Sequence, residues 1–160
     1  MKLLHIVGRQ GHGKTTLIVD LVEELTRQGI AVGTIKHSSH AHELDTPGKD
    51  SYRHRQAGAV PVAVIASEML GLWLPRPAEA DPYAVLAPMF SACRLVLVEG
   101  HIDAVGLKIE VWRQAIGGAC LATTRHDIHA VISDDAVEFG LPVWSRIDVS
   151  GLARRLLKLT

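Results

Sequence analysis

The chain's 160 residues make one ordinary domain, long enough to bury about 70% of the unfolded surface. A hydrophobic content of 48% with only 4% aromatic residues calls for an aliphatic core. Seventeen basic residues balance seventeen acidic ones, so no net field draws nucleic acid or an anionic membrane. Lys2 precedes an apolar run too short for a signal peptide and no stretch is long enough to span a bilayer, so the expected location is the cytoplasm. Cys93 and Cys120 lie in apolar stretches without paired spacing and read as buried free thiols.

Residues 2–7 form a short apolar run suited to a buried strand. From Thr15 the period becomes helical, with Leu17, Ile18, Leu21, Val22 and Leu25 on one face and Gly29 as a stop. Between them stands Gly8-Arg9-Gln10-Gly11-His12-Gly13-Lys14-Thr15, the G-x-x-x-x-G-K-T spacing of a phosphate-binding P-loop. Gly8, Gly11 and Gly13 let the backbone approach an anion. The amides of the loop, His12 included, and of the helix start at Thr16 then point at the phosphates. Lys14 is expected at the β- and γ-oxygens and the Thr15 hydroxyl in a Mg2+ shell.

Residues 30–36 read as a second strand parallel to the first. A histidine-dense loop follows over residues 37–45. Thr46-Pro47 has the form of an N-cap with proline at the first helical position, predicting a helix over 47–57 that ends at Gly58. Runs at 60–66 and 69–74 predict a hairpin, which would make the sheet mixed. The proline-rich stretch 75–82 reads as a surface loop, and 83–92 as a helix. Strands are expected at 95–98, 107–111 and 128–132, and a closing amphipathic helix at 149–157. There is no internal repeat. The fold class is α/β, a mostly parallel sheet with helices on both faces and a β-hairpin extension, forming a single nucleotide-binding domain over 1–160.

Arg94 to Gly100 has the form of a Walker B element, an apolar strand ending in Glu99, which is expected to hold Mg2+ or its water. The loop after the second strand offers Lys36, His37, Asp45, Lys49 and Asp50 towards the γ-phosphate. Asp45 and Asp50 are the candidates for positioning metal and water, although a carboxylate at Asp50 also suits the first turn of a helix. His37, His40, His42 and His54 lack any fixed metal-ligand spacing and read as solvated or backbone-bonded. No Asn-Lys-x-Asp guanine motif is present. Asp127 and Asp134 are both candidates to read the base, and turn formation is the better explanation of either one.

Together these residues resemble the molybdopterin-guanine dinucleotide biosynthesis adapter family, MobB. The resemblance runs through Gly8 to Thr16, Gly33-Thr-Ile-Lys-His37, His40, Asp45-x-Pro47-Gly-Lys-Asp-Ser-Tyr52 and Arg55-x-Ala57-Gly-Ala59. It continues through Leu97-Val-Glu-Gly100, Lys108-Ile-Glu-Val111 with Arg113, and Ala130-Val131 with Ser133-Asp134. It implies a homodimeric GTP-binding protein of the SIMIBI-like P-loop class. Such a protein assists a MobA-like molybdenum cofactor guanylyltransferase that joins GMP to molybdopterin, itself a further candidate ligand. Any GTPase activity is expected to be weak. The chain departs from the family after Glu99, with His101-Ile102 in place of Phe-Lys, so that lysine's role is vacant or passes to Lys108 or Arg113; Leu107 stands where the family tends to have Pro. A small P-loop kinase, with Arg53 and Arg55 as lid arginines, and a metallochaperone-type GTPase are the competing readings.

Overall fold

The computed structural model describes residues 1–40, 43–76 and 78–160. They divide into two compact units, Met1–Ser39 with Pro88–Thr160, and His40–Ala87.

The first unit is built on a six-stranded sheet. Its strands are β1 (Leu3–Val7), β2 (Val32–Lys36), β5 (Leu95–Glu99), β6 (Leu107–Val111), β7 (Ile128–Ile132) and β8 (Val143–Trp144), in the spatial order β2-β5-β1-β6-β7-β8. Every pairing is parallel. Central strands of such a sheet are covered on both faces, which is why β5 reads as an unbroken apolar run up to Glu99 and β1 and β7 are each interrupted by a single histidine, His5 and His129. Side chains alternate between two cores. Leu4, Ile6, Leu95, Leu97, Ile109 and Ile132 pack beneath α1 (Lys14–Arg27) and α4 (Val149–Leu159). Val7, Trp112, Cys120, Ala122 and Val131 fill the opposite face, where helical cover includes the 3-10 turn Leu121–Thr123.

Leu17, Ile18, Leu21 and Leu25 recur every three or four residues and bury one stripe of α1; Leu152, Ala153 and Leu156 do the same for α4. The two helices are fastened by the Ser150 hydroxyl, which donates to Glu24 at 2.6 Å. Asp148 caps α4 by accepting from the Gly151 amide at 2.8 Å. Truncating Leu21 or Leu152 to Ala would cost about 2–5 kcal/mol, since neither site is open enough to collapse freely. The second strand starts two residues later than its apolar run because the Ile30 amide is spent on the Leu25 carbonyl, closing α1.

The second unit contains α2 (Asp50–Gln56), β3 (Val62–Ile65), β4 (Leu70–Trp73) and α3 (Pro82–Leu86). Three expectations are corrected here. The helix predicted from Pro47 begins at Asp50, with Lys49 rather than Thr46 at its N-cap. Gly48 takes φ 84 and the Lys49 amide closes a turn onto the Thr46 carbonyl, so the chain is not yet helical. The predicted hairpin forms, but β3 and β4 pair only with each other, as a separate antiparallel sheet, and the larger sheet is not mixed. The predicted 83–92 helix breaks into α3 and a 3-10 turn, Ala87–Phe90, because Pro88 has no amide to continue the ladder. The hairpin leaves Ile65, Met69 and Leu70 three-quarters or more exposed, and the Trp73 ring lies over Gly71. Among the described residues no helix is long and apolar enough to cross a membrane.

Candidate nucleotide-binding site

A parallel sheet puts every strand's carboxyl end on one edge, and the residues just past those ends share a surface. The loop after β1 is the P-loop. Gly8 has φ 136, and a Cβ there would meet the Val111 carbonyl oxygen at 2.5 Å. Gly13, at φ 91, caps α1 without a side-chain hydrogen bond, so the first-turn amides at Lys14, Thr15 and Thr16 are left for an anion. A side chain at Gly13 would collide with the Arg146 guanidinium. Gly11 lies beside Ile116.

The loop is braced from β6. His12 is buried, and its Nδ1 accepts from the Arg113 amide at 2.9 Å. Burial holds its pKa below the ordinary 6.5 against the pull of Glu110, keeping the acceptor nitrogen free of a proton. Arg9 donates to the Ala119 carbonyl at 3.2 Å. Behind this brace lies Glu110, completely buried, accepting from the Leu121 and Ala122 amides at 2.8 Å each and from the Cys120 thiol at 3.0 Å. Burial, then this carboxylate, push the Cys120 thiol up to about 12, so it is an inert buried thiol as expected, whereas Cys93 is half-buried.

Lys14 is not free in solvent. Its ammonium donates to the Gly8 and Arg9 carbonyls, both at 2.8 Å, closing its own loop. Desolvation lowers its pKa, partly offset by Glu99. Glu99 ends β5, in register with Ile6 of β1 on one side and Lys36 of β2 on the other. Its Oε1 accepts from the Thr15 hydroxyl at 2.7 Å and from the Lys36 ammonium at 2.9 Å. Burial raises its pKa, but these two donors outweigh that and leave it below the ordinary carboxylate range. Thr15 and Glu99, both assigned to the metal from sequence, are thus in contact. Hydroxyl and carboxylate oxygens are hard donors of the kind Mg2+ takes, so the pair fits that ion. Lys36 arrives by register alone, directly across the strand pair. A cavity of about 470 Å3 opens beside Thr15 and Glu99, walled by Ile18, Val19, Val22 and Ile35.

His37 follows Lys36, and its ring stacks on His101 at 3.9 Å with 4° between planes, while its amide donates to the Glu99 carbonyl at 3.0 Å. His5 meets His101 edge-on at 6.2 Å. His101 thus gives His37 a flat stacking partner. Among the described residues no three metal-ligating side chains gather; His42 lies outside them.

Two candidates fall at the wrong edge. Asp127 precedes β7 and so lies at the amino edge, away from the P-loop, where Lys108 and Arg125 ion-pair with it at 2.9 and 3.0 Å. Lys108, also near the start of its strand, is 2% exposed and spent on that pair, so it does not replace the family's missing lysine. Asp134 is at the correct edge, but its Oδ1 already accepts from the Ser145 hydroxyl at 2.8 Å and the Arg146 and Ile147 amides at 2.7 and 3.3 Å. Burial raises its pKa, and these three donors more than reverse that. Asp45 and Asp50 belong to the second unit. Asp45 is buried, accepting from the Ser51 hydroxyl at 3.0 Å and standing 3.7 Å from Arg55; the Asp50 side chain is 91% exposed. Arg55 is also held by Glu43 at 2.5 Å, which ties one proposed lid arginine down within that unit.

The model of the family described as molybdopterin guanine dinucleotide synthesis protein B matches residues 3–134. The chain belongs to the MobB family. It is 36% identical over 156 residues to the molybdopterin-guanine dinucleotide biosynthesis adapter protein of Escherichia coli K12, covering 94% of this chain and 89% of that one. In structure it is similar to the MobB homolog from Bacillus stearothermophilus, with TM-score 0.69 and 30% identity over 99% of this chain and 97% of that chain. Bacillus subtilis MobB gives TM-score 0.75 at 26% identity, with the same coverage. The MobB likeness bears out the P-loop-type α/β fold expected from sequence.

Arg146 is the side chain of this MobB chain's site that the sequence did not reveal. The only signal it carries is position, two residues past a short last strand on the carboxyl edge.

Proposed function

We propose that the chain is a GTP-binding adapter for molybdopterin guanine dinucleotide formation, acting as a homodimer beside a MobA-like guanylyltransferase. Membership of the MobB family supports the pathway. The observation that carries the nucleotide reading is the meeting of the P-loop, Thr15, Glu99 and Lys36 at one sheet edge. On binding, Lys14 leaves the Gly8 and Arg9 carbonyls for the β- and γ-oxygens, and α1 presents its first-turn amides. Mg2+ held by Thr15 and Glu99 would neutralise phosphate charge. Lys36, beside Glu99, would supply a second cation at the γ end. His37 is the candidate for contacting nucleotide, while Asp45 and Asp50, the sequence's candidates for holding water, lie in the second unit. The exposed apolar side chains of β3 and β4 supply the dimer contact. GTP over ATP is expected from the family.

The experiment is titration calorimetry of wild type and Lys14→Ala with GTP, alongside competition by ATP. Losing one charge-assisted phosphate contact costs about 1.5–3 kcal/mol, so the variant should bind at least about tenfold more weakly. Because Lys14 also closes its own loop, the variant should be slightly less stable, which thermal unfolding separates from the binding loss. Wild-type affinity in Lys14→Ala would overturn the assignment. A second reading, phosphoryl transfer to a small molecule, is favoured by the apolar cavity that opens on Thr15 and Glu99. It gains if ATP competes equally with GTP.

A further inference from the structure

A second cavity, of about 190 Å3, lies at the carboxyl ends of β6, β7 and β8, walled by Trp112, Arg113, Ser133, Asp134, Asp135 and Arg146. It is below the roughly 300 Å3 at which pockets begin to hold whole ligands, which leaves room for a ring system rather than a nucleotide. It also adjoins the phosphate loop. Arg113 donates its amide to His12, and the Arg146 guanidinium rests against Gly13. A ligand with its phosphates in the P-loop therefore has this cavity as the compartment for its ring.

Neither aspartate there is free to grip guanine with both carboxylate oxygens. Asp134 commits Oδ1 to three donors from residues 145–147. Asp135 commits Oδ2 to the Gln114 amide at 2.7 Å and the Ser133 hydroxyl at 3.2 Å. What Asp134 does hold is the backbone that carries Arg146. That side chain is only 18% exposed and stands 3.7 Å from the Asp20 carboxylate on α1. It is a planar cation fixed between the loop and the cavity, and a guanidinium plane stacks well on aromatic faces.

We propose that Arg146 stacks on the purine ring of the bound nucleotide and that Asp134 is the positioning residue that sets its loop; this rests on the triphosphate reading above. Stacking is tolerant of base identity, so Arg146 contributes to affinity for any purine rather than to the choice of guanine.

The test is calorimetric titration of GTP, ATP and inorganic tripolyphosphate into wild type, Arg146→Ala, Arg146→Lys, Asp134→Ala and the Arg146→Ala/Asp134→Ala double variant, with thermal unfolding as the folding control. Arg146→Ala should weaken GTP and ATP by a similar factor, about tenfold, and leave tripolyphosphate unchanged. Arg146→Lys keeps the charge but not the plane and should remain as weak. Asp134→Ala should lose a comparable factor, and the double variant no more than either single one. Wild-type GTP affinity in Arg146→Ala, rescue by lysine, or an equal loss for tripolyphosphate would overturn the stacking role while the P-loop reading stands. Wild type that binds neither GTP nor tripolyphosphate would overturn the triphosphate reading itself.

Discussion

Replacing Glu110 by Ala tests whether the phosphate loop depends on the brace behind it. The carboxylate is fully buried and takes the Leu121 and Ala122 amides and the Cys120 thiol. Alanine leaves the buried Ala122 and part-buried Leu121 N–H groups without acceptors, at about 1–3 kcal/mol each, and relieves part of that by removing a carboxylate from the interior. A net loss of about 3 kcal/mol corresponds, at about 2–4 °C per kcal/mol for a chain of this size, to a melting temperature lower by roughly 6–12 °C. The loosened segment is the one that offers Ala119 to Arg9, so GTP affinity should fall with stability. Cys120 should also become modifiable by a thiol reagent, because its inertness depends on burial and on Glu110. Circular dichroism melting, hydrogen exchange at Leu121 and Ala122, and thiol labelling report the three effects. A melting shift under about 2 °C with those amides still protected would refute the reasoning.

His5 and His12 are both held below the ordinary pKa of 6.5, first by burial, so the unfolded chain binds protons that the folded one refuses. Stability should be complete above pH 6.5 and fall as the pH drops below it, by up to about 1.4 kcal/mol per unit per histidine; denaturant titrations at descending pH that show no loss would refute this. Glu99→Gln keeps an oxygen for Thr15 but loses the charge, so folding should persist while the enhancement of GTP binding by Mg2+ drops about tenfold or more, measured by calorimetry with and without the ion. If the chain pairs through its hairpin as proposed, Ile65→Glu with Leu70→Glu should give a folded monomer by light scattering; a wild type that is already monomeric would remove the hairpin interface. Single-turnover GTP hydrolysis should run well below about one per minute, since Lys14 and Lys36 supply charge without an arginine finger; a rate above about 1 per second would point to a self-sufficient enzyme.

The parts of the fold that were legible in the sequence are those whose cause is local. Glycine spacing gave the P-loop, helical period gave α1 and α4, and burial on both faces gave the apolar run of β5 and most of that of β7. What was not legible depends on strand order or polarity. Asp127 and Asp134 look alike along the chain, and only the direction of β7 puts one at the amino edge and the other beside the P-loop. Lys108 looked like a spare cation for phosphate until the start of β6 paired it with Asp127. Lys36 could be placed near the site but not matched to Glu99, because the match is a register between strands far apart in sequence. Gly48 defeated a helix start that Thr46 and Pro47 signal correctly in isolation.

The strand order carries one more consequence. β1 and β2 are joined through α1 yet share no hydrogen bond, because β5 occupies the position between them. On the ribosome, the amino-terminal segment therefore emerges with its phosphate loop written but with no neighbouring strand to lie against. Roughly 60 residues must follow before β5 arrives, about 3–12 s at usual rates of synthesis. The segment His40–Ala87 is made in that interval, so it has the chance to fold first, as an insertion completed before the sheet that flanks it in sequence. A nascent chain truncated just before β5 should then be protease-sensitive up to Ser39, and protection of β1 should appear only once Glu99 has cleared the exit tunnel.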